Sequence, residues 1–83
     1  MKITLKMFAS LAQFLPPEAV RNVVEIEVPE SCSVHDVLGR YNVPRAAAHL
    51  VLINGVYVEP ERRDESLLVA GDVLALWPPV AGG

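Results

Sequence analysis

The residues with the most distinct chemical potential are the last two, Gly82 and Gly83. A chain stopping on two glycines ends in a carboxylate with no side chain beside it, and glycine permits an approach to another surface that no other residue allows. Immediately upstream, Pro78 and Pro79 fix their own backbone angles and favour an extended path, continued by Val80 and Ala81. No charged side chain occurs from Val73 onward. Six residues at about 3.3 Å each would carry the carboxylate roughly 20 Å from the body. Stretch 78–83 is therefore expected to form a thin, uncharged arm bearing one reacting group. Ordinary fraying at a chain end, or a Pro-Pro ligand for an aromatic groove, are the plainer readings of the same residues.

A carboxylate is inert as an acyl donor in water because its anionic oxygen leaves poorly. Transfer to a phosphate of ATP makes a mixed anhydride, which a sulfur nucleophile can open. An activating enzyme has to hold nucleotide and carboxylate within about 3–3.5 Å while excluding water. That calls for a narrow channel, which glycines enter and a larger side chain does not. On this reading the chain is a substrate shaped for another protein's active site.

The rest of the sequence offers no competing chemistry. There is no Ser/His/Asp set, no metal-spaced His/Cys pair and no phosphate-cradling glycine loop. His35 and His49 have no partner motif and read as surface or structural residues. Cys32 is the single cysteine, which excludes an internal disulfide. It precedes a helix cap, where a thiol can be acidified, but no base or resolving cysteine accompanies it. Glu25 and Glu27 stand two apart on one strand face and converge on nothing. The chain is expected not to be an enzyme, and to bind no metal and no cofactor of its own.

The elements that must present the tail are legible in order. Residues 2–8 alternate, placing Ile3, Leu5 and Met7 inward and Thr4, Lys6 and Phe8 outward. Leu11, Phe14 and Leu15 suggest a short helix, stopped by Pro16-Pro17. Val24, Ile26 and Val28 form one face of a second strand that Pro29 ends. Ser33, followed three residues on by Asp36, caps a helix whose stripe is Val34, Val37, Leu38 and Tyr41 and which Asn42 ends. Ala46–Ala48 would add a turn. Leu50–Ile53 and Val56–Val58 flank Asn54-Gly55, a strong hairpin signal that sets Leu52 opposite Tyr57. Glu59–Ser66 reads as a solvated loop of mixed charge. Gly71-Asp72 turns into a last strand, Val73–Trp77, with Leu74 and Leu76 in the core and Trp77 exposed beside the tail.

This order predicts an α+β domain of the β-grasp, ubiquitin-like kind, over residues 1–77. It has a mixed sheet of about five strands and one main helix across it. First and last strands lie parallel at the centre, joined by a long crossover containing the helix. Phe8, Tyr57 and Trp77 then share the outward face, and large apolar side chains grouped on a surface mark a partner. Eighty-three residues suffice for one such domain. A net charge of −3 with scattered basic residues gives no nucleic-acid face. No apolar run approaches the roughly 20 residues of a membrane span. Met1-Lys2-Ile3-Thr4 lacks the pattern of a secretion signal, so a cytoplasmic protein is expected.

The sequence resembles the MoaD/ThiS family of sulfur-carrier proteins along almost its whole length. The carrying stretches are Met7-Phe8-Ala9 with Leu11, Val28-Pro29 before Ser33-Val34-His35-Asp36-Val37-Leu38, Val51-Leu52-Ile53-Asn54-Gly55, Ala70-Gly71-Asp72-Val73 and Leu76-Trp77-Pro78-Pro79-Val80-Ala81-Gly82-Gly83. The last of these is similar to the tail of the small subunit of molybdopterin synthase. Ala12 stands where that branch often carries arginine, and Trp77 where it usually carries phenylalanine.

The resemblance implies adenylation of the Gly83 carboxyl by a ubiquitin-type activating enzyme that uses ATP, and then sulfur transfer to give a thiocarboxylate. It implies insertion of the tail into a large molybdopterin synthase subunit or another sulfur-accepting enzyme. It also implies partner contacts at Phe8, Tyr57, Trp77 and the tail. Carriage of sulfur for thiamine, cysteine or tRNA thiolation remains open, as does conjugation of Gly83 to lysines of other proteins. A plain interaction module is the third reading.

Overall fold

The computed structural model describes residues 1–80, so the expectations placed on Ala81, Gly82 and Gly83 lie outside the described residues. Strand β1 (Lys2–Met7) alternates as its sequence demands, burying Ile3, Leu5 and Met7. A 3₁₀ turn over Ala9–Phe14 buries Leu11 and stops at Leu15 before the two prolines. Strand β2 (Val23–Glu27) returns antiparallel, with Lys2 opposite Glu27 and Lys6 opposite Val23.

Helix α1 (Val34–Arg40) begins with the capping box that its sequence encodes. Ser33 Oγ accepts from the Asp36 N–H at 3.1 Å, and Asp36 Oδ2 accepts from the Ser33 N–H at 2.9 Å. Two backbone donors that the first turn cannot satisfy are thus used, stabilising the helix start by about 1 kcal/mol. Val34, Val37 and Leu38 pack into the core with Leu5, Val51, Leu74 and Leu76. Asn42 takes a left-handed φ of 60° just past the helix end, a conformation asparagine tolerates better than most residues.

Strands β3 (Leu50–Ile53) and β4 (Val56–Tyr57) form the hairpin, with Leu52 opposite Tyr57. Its two-residue turn needs positive φ twice, supplied by Asn54 at 52° and Gly55 at 83°. The Asn54 side chain donates to Asp72 Oδ1 and accepts from the Val73 N–H, both at 2.9 Å, tying the hairpin tip to the start of strand β5 (Val73–Trp77). Strand β5 lies parallel to β1 and antiparallel to β3, giving the order β2-β1-β5-β3-β4. The helix side of the sheet is the core; the other face is open.

The charged loop departs from expectation. Arg63 is 3% exposed rather than solvated. Its guanidinium donates to the carbonyls of Val58 at 3.1 Å, Ala48 at 2.5 Å and His49 at 3.0 Å. Five donors in a planar fork allow one side chain to serve three acceptors, so the loop is fastened onto the chain entering β3.

His35 is also less peripheral than its place on the helix suggests. Its Nδ1 shares a hydrogen bond of 2.6 Å with Asp64 Oδ1, linking α1 to the same loop. That bond holds the Asp64 carboxyl below the usual carboxylate range. A carboxyl depressed in the folded state stabilises above its unfolded value and loses that contribution as pH falls through the folded one. The stability difference between wild type and Asp64→Asn is therefore expected at neutral pH and to shrink below about pH 4. Urea titrations across that range check it.

Candidate functional site: the open sheet face at the root of the tail

Strand parity decides which side chains reach the open face. In β5, Leu74 and Leu76 are fully buried, so Val73, Ala75 and Trp77 face away from the helix. Register extends this across neighbouring strands: Leu50 stands opposite Trp77, and Leu52 opposite both Ala75 and Tyr57. Phe8 follows β1 on the same side, its N–H donating to the Leu76 carbonyl. The face thus carries Phe8, Trp77 and Leu50 in one row and Ala75, Leu52 and Tyr57 in the next.

The structure brings together two of the three aromatic side chains assigned to this site. Phe8 and Trp77 stack with ring centroids 4.6 Å apart and 12° between planes. Such pairs contribute about 0.5–1.5 kcal/mol beyond their area. The stack half-covers Trp77, correcting the expectation of a freely exposed indole. Tyr57 stands apart, two strands over and 50% exposed. Ala75 shares this face with Trp77 by the parity of the last strand, whereas Leu50 joins it through a register with Trp77 that its sequence neighbours do not disclose.

Beyond Trp77 the chain leaves the sheet. Its carbonyl accepts from the His49 N–H at 2.9 Å, the last β3–β5 contact before the prolines. Pro78 is partly covered, whereas Pro79 is exposed and Val80 is 78% exposed. Proline lacks an N–H, so neither Pro78 nor Pro79 can extend the ladder as a donor. Ala9, Ser10, His49, Leu50, Trp77, Pro78, Pro79 and Val80 enclose an apolar groove of about 710 Å³. The described part of the tail forms one wall of that groove.

Of the candidates set aside in the sequence, His49 lines this groove, whereas His35 is held by Asp64. Cys32 is buried, its Sγ directed at the Ser33 carbonyl, and burial pushes the thiol pKa up, with the Asp36 carboxylate adding to the effect. A protonated, enclosed thiol is a poor nucleophile. Among the described residues no group of three His, Cys, Asp or Glu side chains could hold a metal. No helix among them is long and apolar enough to cross a membrane.

Five mixed strands in this order, crossed by one main helix, define a ubiquitin-like β-grasp fold. The chain belongs to the ThiS family, whose model matches residues 5–83. SAMP1 of Haloferax volcanii, a small archaeal modifier protein, is 28% identical over 100% of both chains, with a TM-score of 0.67. A Pyrococcus furiosus protein assigned provisionally as subunit 1 of molybdopterin converting factor is 27% identical. That match covers 95% of this chain and 98% of the other, at a TM-score of 0.64. Helicobacter pylori molybdopterin-converting factor, a complex of subunits 1 and 2, supplies a chain 17% identical over 100% of both chains, with a TM-score of 0.58; at that identity the likeness is one of fold. Curated protein sequences gave no match.

Proposed function

We propose that this protein is a sulfur carrier whose Gly83 carboxyl is adenylated with ATP and converted to a thiocarboxylate, supplying sulfur for molybdopterin-type cofactor synthesis. In the first step a carboxylate oxygen attacks the α-phosphate and pyrophosphate leaves. In the second, a hydrosulfide ion attacks the acyl carbon, the bond to AMP breaks and AMP leaves, and the terminus finishes with sulfur in place of one oxygen. Catalysis belongs to the adenylating enzyme. This chain contributes Gly82 and Gly83 as the narrow reacting end. Phe8, Tyr57, Trp77, Pro78, Pro79, Val80 and Ala81 serve as the surface and arm by which partners hold it. The large subunit of molybdopterin synthase, or another sulfur-accepting enzyme, is the second partner.

The observation that supports this reading most is the apolar sheet face lying directly at the root of the tail, on a ThiS-family fold. A partner that buries Phe8, Trp77 and Leu52 is thereby placed to receive the residues that follow Val80. Incubation with ATP, the adenylating enzyme of the same genome and a sulfur donor is expected to raise the intact mass by about 16 Da, the difference between oxygen and sulfur. Absence of that gain with the correct enzyme sinks the proposal.

A second reading follows from the full-length likeness to a small archaeal modifier protein. There the activated Gly83 carbonyl is attacked by a lysine amine of another protein, giving an isopeptide bond. Lysine-linked conjugates in extracts, lost on deletion of Gly83, would favour it.

A further inference from the structure

Two lysines of β1 lie on the open face: Lys2 at its far end, opposite Glu27, and Lys6 among the apolar side chains. The second row reads Val23, Lys6, Ala75, Leu52 and Tyr57 across four strand boundaries, and Lys6 lies two residues before the stacked Phe8. Lys6 is partly buried, and among the described residues it makes neither an ion pair nor a side-chain hydrogen bond. Glu25, on the same side of β2, stands opposite Thr4 and so diagonal to Lys6, and among the described residues it makes no ion pair with it. Partly exposed, the Lys6 ammonium is open to solvent in the free protein. A protein that covers the Phe8–Trp77 stack and Ala75 also strips water from Lys6, and a desolvated, unpaired charge is heavily penalised.

We propose that the adenylating enzyme covers this face and sets a carboxylate against Lys6, making Lys6 a specificity residue for activation. The inference rests on the proposed function. The adenylating enzyme is the partner to which it commits, because the sulfur-carrier and modifier readings both begin there. The net charge of −3 gives an acidic patch no long-range attraction to this chain. The pairing therefore acts at contact distance, inside the screening length of about 8–10 Å, and fixes register on the apolar stretch of the face between Lys6 and Tyr57.

The mass gain of the wild type is measured first, since its absence refutes the functional reading and the inference with it. Binding to the same enzyme is then followed by calorimetry. Lys6→Glu is expected to raise Kd by about 30-fold or more, and Lys6→Arg to stay within about threefold of wild type. Lys6→Met should flatten the salt dependence. One Asp→Lys or Glu→Lys change on the enzyme should restore binding of Lys6→Glu. Circular dichroism of each variant confirms that β1 is intact. A wild type that gains mass while Lys6→Glu binds within about threefold of it overturns the inference alone. So does failure of every charge reversal on the enzyme to restore binding.

Discussion

Deletion of Gly83 is expected to abolish thiocarboxylate formation while leaving thermal unfolding unchanged. Removing one residue withdraws the carboxyl by about 3.5 Å. Attack on a phosphate requires the reacting atoms within about 3–3.5 Å, and a misplacement of only 1 Å costs on the order of 100-fold. A shift of three times that size takes the carboxyl out of range. Gly82→Val tests the width of the channel instead of its length, because a branched side chain meets walls that fit backbone. Both changes leave untouched the described members of the core cluster, which run from Ile3 to Leu76. A des-Gly83 protein that still gained mass would show that the reacting group lies elsewhere.

Arg63→Met should destabilise the fold by about 3 kcal/mol. The substitution keeps an unbranched apolar stem but removes the donors to the Val58, Ala48 and His49 carbonyls. Leaving an acceptor unsatisfied costs about 1–3 kcal/mol where it is buried, as at Ala48, and less at Val58 and His49, which are partly covered. The sum is held to about 3 kcal/mol because methionine also removes a charge that was costly to bury. Against a total of about 5–15 kcal/mol, the loss is large. It corresponds to a fall in melting temperature of about 12–24 °C for a domain of this size. Arg63→Lys should fall between the two, since an ammonium cannot span three carbonyls held in a planar fork. A loss below about 1 kcal/mol would mean the loop is held by something else.

What the sequence disclosed was decided locally. The alternation of β1, the Ser33–Asp36 cap and the Asn54-Gly55 turn each depend on residues within a few positions of one another, and each formed as read. The outward set of Phe8, Tyr57 and Trp77 was also legible, because parity along a strand fixes its faces. The burial of Arg63 was not. It sits between Arg62 and Asp64 in a run that looks solvated, and it is covered only because that run folds back over Ala48 and His49. The stacking of Phe8 on Trp77 similarly needed the parallel pairing of chain segments some seventy residues apart. No local pattern carries that distance.

The central pair of strands also decides how this molecule bears load. Because β1 and β5 run side by side in the same direction, the start of one and the finish of the other lie at opposite ends of their shared ladder. Tension applied between the two extremities runs along the strands and loads their hydrogen bonds together in shear, not one after another as a zipper opens. Tugging on the Pro78–Val80 segment against the amino end therefore meets the stiffest axis of the fold. Dragging a loop such as 59–66 does not.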